Sequence, residues 1–179
     1  MKRNNKLLES SEIPVIISIN PRSIYNKSDE LPLLIEQYEA SVLCMSESWE
    51  HENFKLEDLL KIENFRIITN VKQRNFKGGK PAIFINENKF YVKILCPDPI
   101  TVPIGVEAVW CMITPKVKNS RFIKKIAVAS IYYPGPKSTK KKELFDHIIS
   151  LFDGLVWCGF TFHHCWRHKS AEFGTNPKS

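Results

Sequence analysis

Nowhere in its 179 residues does the chain sustain an apolar run of the ~20 residues needed to cross a bilayer. Its basic start, Met1-Lys2-Arg3-Asn4-Asn5-Lys6, is followed by polar Glu9, Ser10, Ser11 and Glu12, so the apolar centre of a signal peptide is missing too. Cysteine occurs in an odd number, five (Cys44, Cys96, Cys111, Cys158, Cys165), and three of them lie inside apolar, strand-like runs. That excludes a fully paired disulfide framework and fits free, buried thiols in a reducing compartment. No internal repeat and no low-complexity tract is present. The length suits one domain with a real core better than two. The expectation is an intracellular protein, nuclear or cytoplasmic, with no membrane partner.

What is present is a basic surface. Lysine and arginine number 26 against 19 acidic residues, a formal charge of +7 and a pI near 9.1. Such a balance favours anionic partners, nucleic acid first. The charge is spread over three groups: Lys72, Arg74, Lys77 and Lys80; Arg121, Lys124 and Lys125; Lys137 with Lys140 to Lys142. A solubilising surface explains such groups as well as a binding face does.

The elements follow in an order that defines a class. Residues 1–13 are polar and read as a disordered or frayed N-terminus. Val15 to Ile19 reads as a buried strand closed by Asn20-Pro21. Ser28 can cap a helix to about Glu39, with Leu31, Leu34, Ile35 and Tyr38 facing inward and Pro32 in the tolerant first turn. Val42 to Met45 is a strand apolar on both faces. A short helix over Leu56 to Ile62 and a strand over Phe65 to Val71 come next. Lys72 to Lys80 is a basic loop carrying Gly78-Gly79. Strands over 82–85, 90–95, 106–114 and 123–133 follow, with Pro97, Pro99, Pro103 and Pro115 between them. A second helix starts at Ser138 or Thr139, with Leu144, Phe145, Ile148, Ile149 and Phe152 on one face, and Val156 to Cys158 reads as a last strand. The fold expected is a mixed α/β (α+β) arrangement, a domain over 14–160 with an irregular tail at 161–179.

One residue stands out against this scaffold. The strand ending at Met45 runs straight into Ser46-Glu47-Ser48-Trp49, which sets a carboxylate at the carboxyl end of a covered strand. Side chains at such ends reach ligand crevices. A carboxylate there is costly unless it is paired or binds a cation.

Several fragments, taken in order, resemble the endonuclease/exonuclease/phosphatase family, and within it the apurinic-type endonuclease domain of non-LTR (LINE-type) retrotransposons. Asn20-Pro21-Arg22-Ser23 with Asn26-Lys27 is similar to that family's N-x-R-S-x-x-N-K, and Ser46-Glu47-Ser48-Trp49 to its T-E-T-W. Gly78-Gly79 leading into Ala82 to Ile85 resembles its G-G-G-V-A-I, departing at Lys80-Pro81. Glu107 within Val106 to Trp110, and Ile131-Tyr132-Tyr133-Pro134-Gly135-Pro136, similar to V-Y-R-P-P, complete the series across residues 14–158. The resemblance implies a four-layer α/β/β/α sandwich of the deoxyribonuclease I-like fold, here C-terminally truncated, and a divalent-metal phosphodiesterase acting on DNA without a small-molecule cofactor. It implies Glu47 as a Mg2+ ligand, Asn20 as the group orienting the phosphate or metal-bound water, and Tyr132 as a phenol at the scissile phosphate.

Against that pattern the chain is deficient. The family's G-D-F-N strand end supplies the Asp that readies water and an Asn that clamps the transition state. Here Gly159 is followed by Phe160-Thr161-Phe162, and neither a later Asn-x-x-Asp-x-x-x-Thr region nor an S-D-H occurs. Loss of one catalytic base costs a factor of ~10²–10⁴, and one carboxylate makes a poor Mg2+ site. The expectation is therefore an impaired remnant of the enzyme, or a fragment that binds nucleic acid without cutting it. A separate cluster, Cys158, His163, His164, Cys165 and His168, has a spacing that fits no common zinc pattern.

Overall fold

Four apolar residues in a row at 42–45 leave no side of a strand for solvent, and all four are buried. The structure, a computed structural model, describes residues 14–49, 55–60, 62–69, 79–95, 106–117 and 125–133, with positions 142, 143, 145, 146, 148 and 149 of a later helical stretch. Its elements are β1 (Ile16–Ile19), α1 (Glu30–Gln37), β2 (Val42–Met45), α2 (Leu56–Leu59), β3 (Phe65–Thr69), β4 (Ala82–Asn86), β5 (Phe90–Leu95), β6 (Glu107–Pro115) and β7 (Ile126–Tyr132).

They form two sheets. The first has the order β1-β2-β4-β3, with β1 parallel to β2 and the other pairings antiparallel; the second is the antiparallel meander β5-β6-β7. A parallel pair needs a crossover between its strands, and α1 supplies it. β4 passes into β5 of the other sheet through a short turn in which the Asn86 side chain accepts from Asn88 N–H at 2.9 Å. That local bond ends one sheet and starts the next.

Strand alternation divides the apolar residues between two cores. Val42, Cys44, Ile68, Ile83 and Ile85 of the first sheet meet Phe90, Val109, Cys111, Ile113 and Val128 of the second. Leu43, Met45, Ala82 and Phe84 point the other way and pack with Leu31, Ile35, Leu56 and Leu60 of the helical layer. Each Val, Leu, Ile, Phe or Met among them contributes about 1.5–3 kcal/mol on full burial. Trp110 and Met112, on the outward side of β6, are buried as well, so the far face of the second sheet is also covered. This is the mixed α/β sandwich expected from the sequence. No helix among the described residues is long and apolar enough to cross a membrane.

Several local expectations are corrected. The 15–19 strand is an edge rather than a buried strand: it pairs only with β2 among the described strands, and Ile16 is 45% exposed. α1 begins at Glu30 with Asp29 at its N-cap and no side-chain cap bond; Ser28 turns its hydroxyl to Asp29 instead, at 3.5 Å. Tyr38 is the exposed C-cap of α1 and not part of its buried face, which Leu31 and Ile35 supply. Phe145 and Ile149 of the later helical stretch lie four apart on one face, as expected, and are exposed. The expected frayed start, the strand at 156–158, the tail and the Cys/His cluster lie outside the described residues.

Cys44 and Cys111 belong to opposite sheets of the inner core, and both are free thiols. Burial pushes each from the ordinary 9.0 up to about 12, and for Cys44 the Cys111 charge adds to that. Both therefore stay protonated in the folded chain at neutral pH. Alkylation should spare these two thiols in the native protein and reach them only in denaturant, as peptide mapping of the labelled sites would show. An unfolded chain releases the same protons near pH 9 while the folded chain holds them. Their contribution to stability is thus full below pH 9 and is lost as pH rises towards 12, a decline readable in urea melts.

Candidate functional site

Strand direction gathers the polar residues at one end of the sandwich. β1 and β2 run parallel, so Asn20 and Glu47 leave the first sheet on the same side. β4 runs against β2, with Ala82 opposite Met45, so the Gly79-Lys80 turn that precedes it arrives at that same end. In the second sheet Glu107 opens β6, Tyr132 closes β7, and the two are register partners. Both share the inward face with Val109 and Val128, which aims them at the mouth between the sheets.

Glu47 is held on both oxygens. Asn20 Nδ2 donates to Oε1 at 3.0 Å, and Trp49 Nε1 donates to Oε2 at 3.3 Å. The Asn20 amide is oriented in turn, since its Oδ1 accepts from Arg22 N–H at 3.1 Å. The segment after β1 lies along the segment after β2: Ser23 N–H donates to Glu47 O at 3.2 Å and Ile24 N–H to Ser48 O at 3.3 Å.

Gly79 and Lys80 join the two sheets here. Lys80 N–H donates to Glu107 Oε2 at 2.6 Å, a charge-assisted bond from the first sheet's approach loop to the second sheet. Lys80 O accepts from Ser48 N–H at 3.3 Å and from the Ser48 hydroxyl at 2.7 Å, and Gly79 O accepts from Trp49 N–H at 3.4 Å. A Cβ on Gly79 would lie 2.6 Å from Glu107 Oε2 and 2.8 Å from the Tyr132 ring, and its φ of +81° disfavours any side chain. Arg22, Ser23, Trp49 and Lys80 also have positive φ (50°, 91°, 58° and 62°). Left-handed non-glycine residues are uncommon and persist where surrounding bonds over-determine them. Four of them border Glu47.

Tyr132 is half-buried, and its phenol is raised above the ordinary 10.0, by burial first and then by the charges of Glu47 and Glu107. It is a protonated hydrogen-bond donor at neutral pH. Asn20, Glu47 and Tyr132, the three residues singled out in the sequence, thus occupy one site. Glu107, the Gly79-Lys80 turn and Trp49 were visible as motif fragments but carried no assigned part. Of the basic groups only Lys80, Lys125 and Lys142 fall among the described residues.

As a place for the implied Mg2+, the donor set is minimal. Among the described residues no group of three or more His, Cys, Asp or Glu could hold a metal. Glu47 is a hard ligand of the right type, but each of its oxygens already accepts a hydrogen bond. Glu47 is thus one carboxylate of suitable type, short of the set of oxygen ligands that Mg2+ takes.

Two outcomes follow from this geometry. Gly79→Ala should destabilise the chain by at least about 2 kcal/mol in urea unfolding, because it adds both a collision and an unfavourable φ. Phenol titration by ultraviolet difference spectra, with Tyr132→Phe to identify the late-titrating group, should show that pKa falling in Glu107→Gln. An unchanged value would remove Glu107 from the Tyr132 environment.

No family model matches the chain, and no curated protein matches it by sequence. Solved structures do. The endonuclease domain of TRAS1, a telomere-specific non-LTR retrotransposon, is similar with a TM-score of 0.51 at 16% identity, over 78% of this chain and 54% of that one. The human Nocturnin catalytic domain gives 0.53 at 15% identity, over 79% and 59%. A humanized D. rerio TDP2 gives 0.53 at 12%, over 79% and 55%. The chain spans little more than half the length of each. What they share with it at such identities is architecture alone. The chain has the endonuclease/exonuclease/phosphatase fold, the deoxyribonuclease I-like sandwich.

Proposed function

We propose that the chain is a remnant of a Mg2+-dependent phosphodiesterase of the retrotransposon endonuclease type, with DNA as its polymer and with impaired catalysis. The observation that supports this most is the meeting of Asn20, Glu47 and Tyr132 at one mouth of the sandwich, with Glu47 hydrogen-bonded to Asn20 and Tyr132 in its electrostatic field. The net charge of +7 favours a polyanion. One of the similar structures is itself a retrotransposon endonuclease domain.

In this reading each residue has a definite task. A cation on Glu47 would neutralise phosphate oxygens and the leaving group. Tyr132, kept protonated, donates to a phosphate oxygen and cannot accept its proton at neutral pH. Asn20 fixes the Glu47 carboxylate on one side and Trp49 fixes it on the other. The impairment rests on Phe160-Thr161-Phe162, which stands where the family has Asp-Phe-Asn. Without that Asp no group is assigned to ready the water, a deficit of ~10²–10⁴ in rate.

The runner-up reading keeps the binding and drops the chemistry altogether, leaving a nucleic-acid-binding fragment. Both are tested in one series. Duplex DNA should bind at low salt with affinity falling steeply as salt rises. Nicking of supercoiled plasmid in Mg2+ should be the same for the natural chain and Glu47→Ala. Weak nicking that requires Glu47 would overturn the binding-only reading, unimpaired nicking would overturn the impairment, and absence of binding at low salt would overturn the nucleic-acid reading.

A further inference from the structure

Trp49 is the largest apolar side chain at the site, yet it belongs to neither core and is 45% exposed. Its backbone sits at φ +58°, where a bulky residue is an outlier, and Trp49 N–H is tied to Gly79 O. Its indole N–H is bonded to Glu47 Oε2, which fixes the ring beside the carboxylate instead of leaving it to swing. A planar aromatic group is thus pinned by its polar edge with much of its surface in solvent. Tyr25, also exposed, follows on the segment that hydrogen-bonds alongside residues 47 and 48. An exposed aromatic face is what an unstacked base requires, since every base offers a π-face to stack on.

Building on the phosphodiesterase reading, in which a cation on Glu47 would bind the phosphate, we propose that Trp49 is a stacking platform for an unpaired nucleobase attached to that phosphate. The preferred substrate is then a nucleic acid whose base is exposed next to that phosphate, single-stranded or opened at the site. Stacking is largely independent of base identity, so the platform selects for an exposed base and not for a sequence.

The test compares two short DNA strands of equal phosphate number at low monovalent salt in Mg2+, one with bases throughout and one abasic throughout. The natural chain should bind the base-bearing strand about 10-fold tighter, the size expected of one aromatic–base stack. Trp49→Ala should bind both strands equally, and Trp49→Phe, which keeps a ring but loses the N–H, should retain most of the preference. Indole emission of the natural chain should also be quenched by the base-bearing strand, and that quenching should vanish in Trp49→Phe while binding persists; this readout needs no alanine variant to fold. Equal binding of both strands by the natural chain overturns the platform and leaves the phosphate-binding reading standing. A preference that survives Trp49→Ala overturns it, as does one lost as fully in Trp49→Phe as in Trp49→Ala. Absence of binding to either strand ends the nucleic-acid reading and the platform with it.

Discussion

The bond from Lys80 N–H to Glu107 Oε2 is the contact on which the working end of this molecule depends. It crosses from the approach loop of one sheet to the first residue of a strand in the other. It forms only because Gly79 has no side chain to separate the turn from Glu107 and Tyr132. On its other side the same turn accepts from Ser48 and Trp49, the residues that follow Glu47. One two-residue element therefore sets the spacing between the first sheet's carboxylate and the second sheet's phenol. A backbone group bonded to a carboxylate is a firmer tie than a pair of exposed side chains, because only one rotamer-rich partner has to be ordered.

Deeper in the sandwich the two sheets meet through apolar contact and through a hydrogen bond. The Ser130 hydroxyl donates to Met45 O at 2.7 Å in a buried position. Met45 is the last residue of the strand that leads to Glu47, and Ser130 lies two residues before Tyr132. The bond thus sets the register between the sheets just beneath the site. Dispersion and burial hold the layers together without direction, whereas these two hydrogen bonds specify how far one sheet is displaced along the other. Polar groups of this kind define a unique arrangement more than they add stability.

The site's electrostatics run against those of the whole chain. A protein of net charge +7 brings two carboxylates, Glu47 and Glu107, to bear on one phenol. Such a constellation favours protons and cations at the mouth, while the basic exterior favours polyanions. The two preferences are complementary for a ligand that carries phosphate together with its counter-cation. Burial raises the Tyr132 phenol first, and the two carboxylates add to it, since its ionised form would be a third negative charge there.

Much of this was legible in one dimension. The doubly apolar run at 42–45, the β-α-β opening and the later meander follow from hydrophobic period and turn residues, which act over a few neighbours. It was the family resemblance that singled out Asn20, Glu47 and Tyr132, and that they stand at strand ends was legible. The exposed edge at Ile16, the missing side-chain cap of α1 and the solvent-facing Tyr38 were not, because strand order and helix facing are decided by partners distant in sequence. Nor could the sequence show that Gly79, Glu107 and Trp49 belong with Glu47. Which residues carry polar and apolar groups, and at which strand ends, is a local matter that the chain itself determines. Which of those ends meet, and at what separation, is settled by strand order and by hydrogen bonds across 27 positions, as from Lys80 to Glu107, and 85, as from Ser130 to Met45; only the folded molecule decides these, because they exist once the two sheets have closed on a common core.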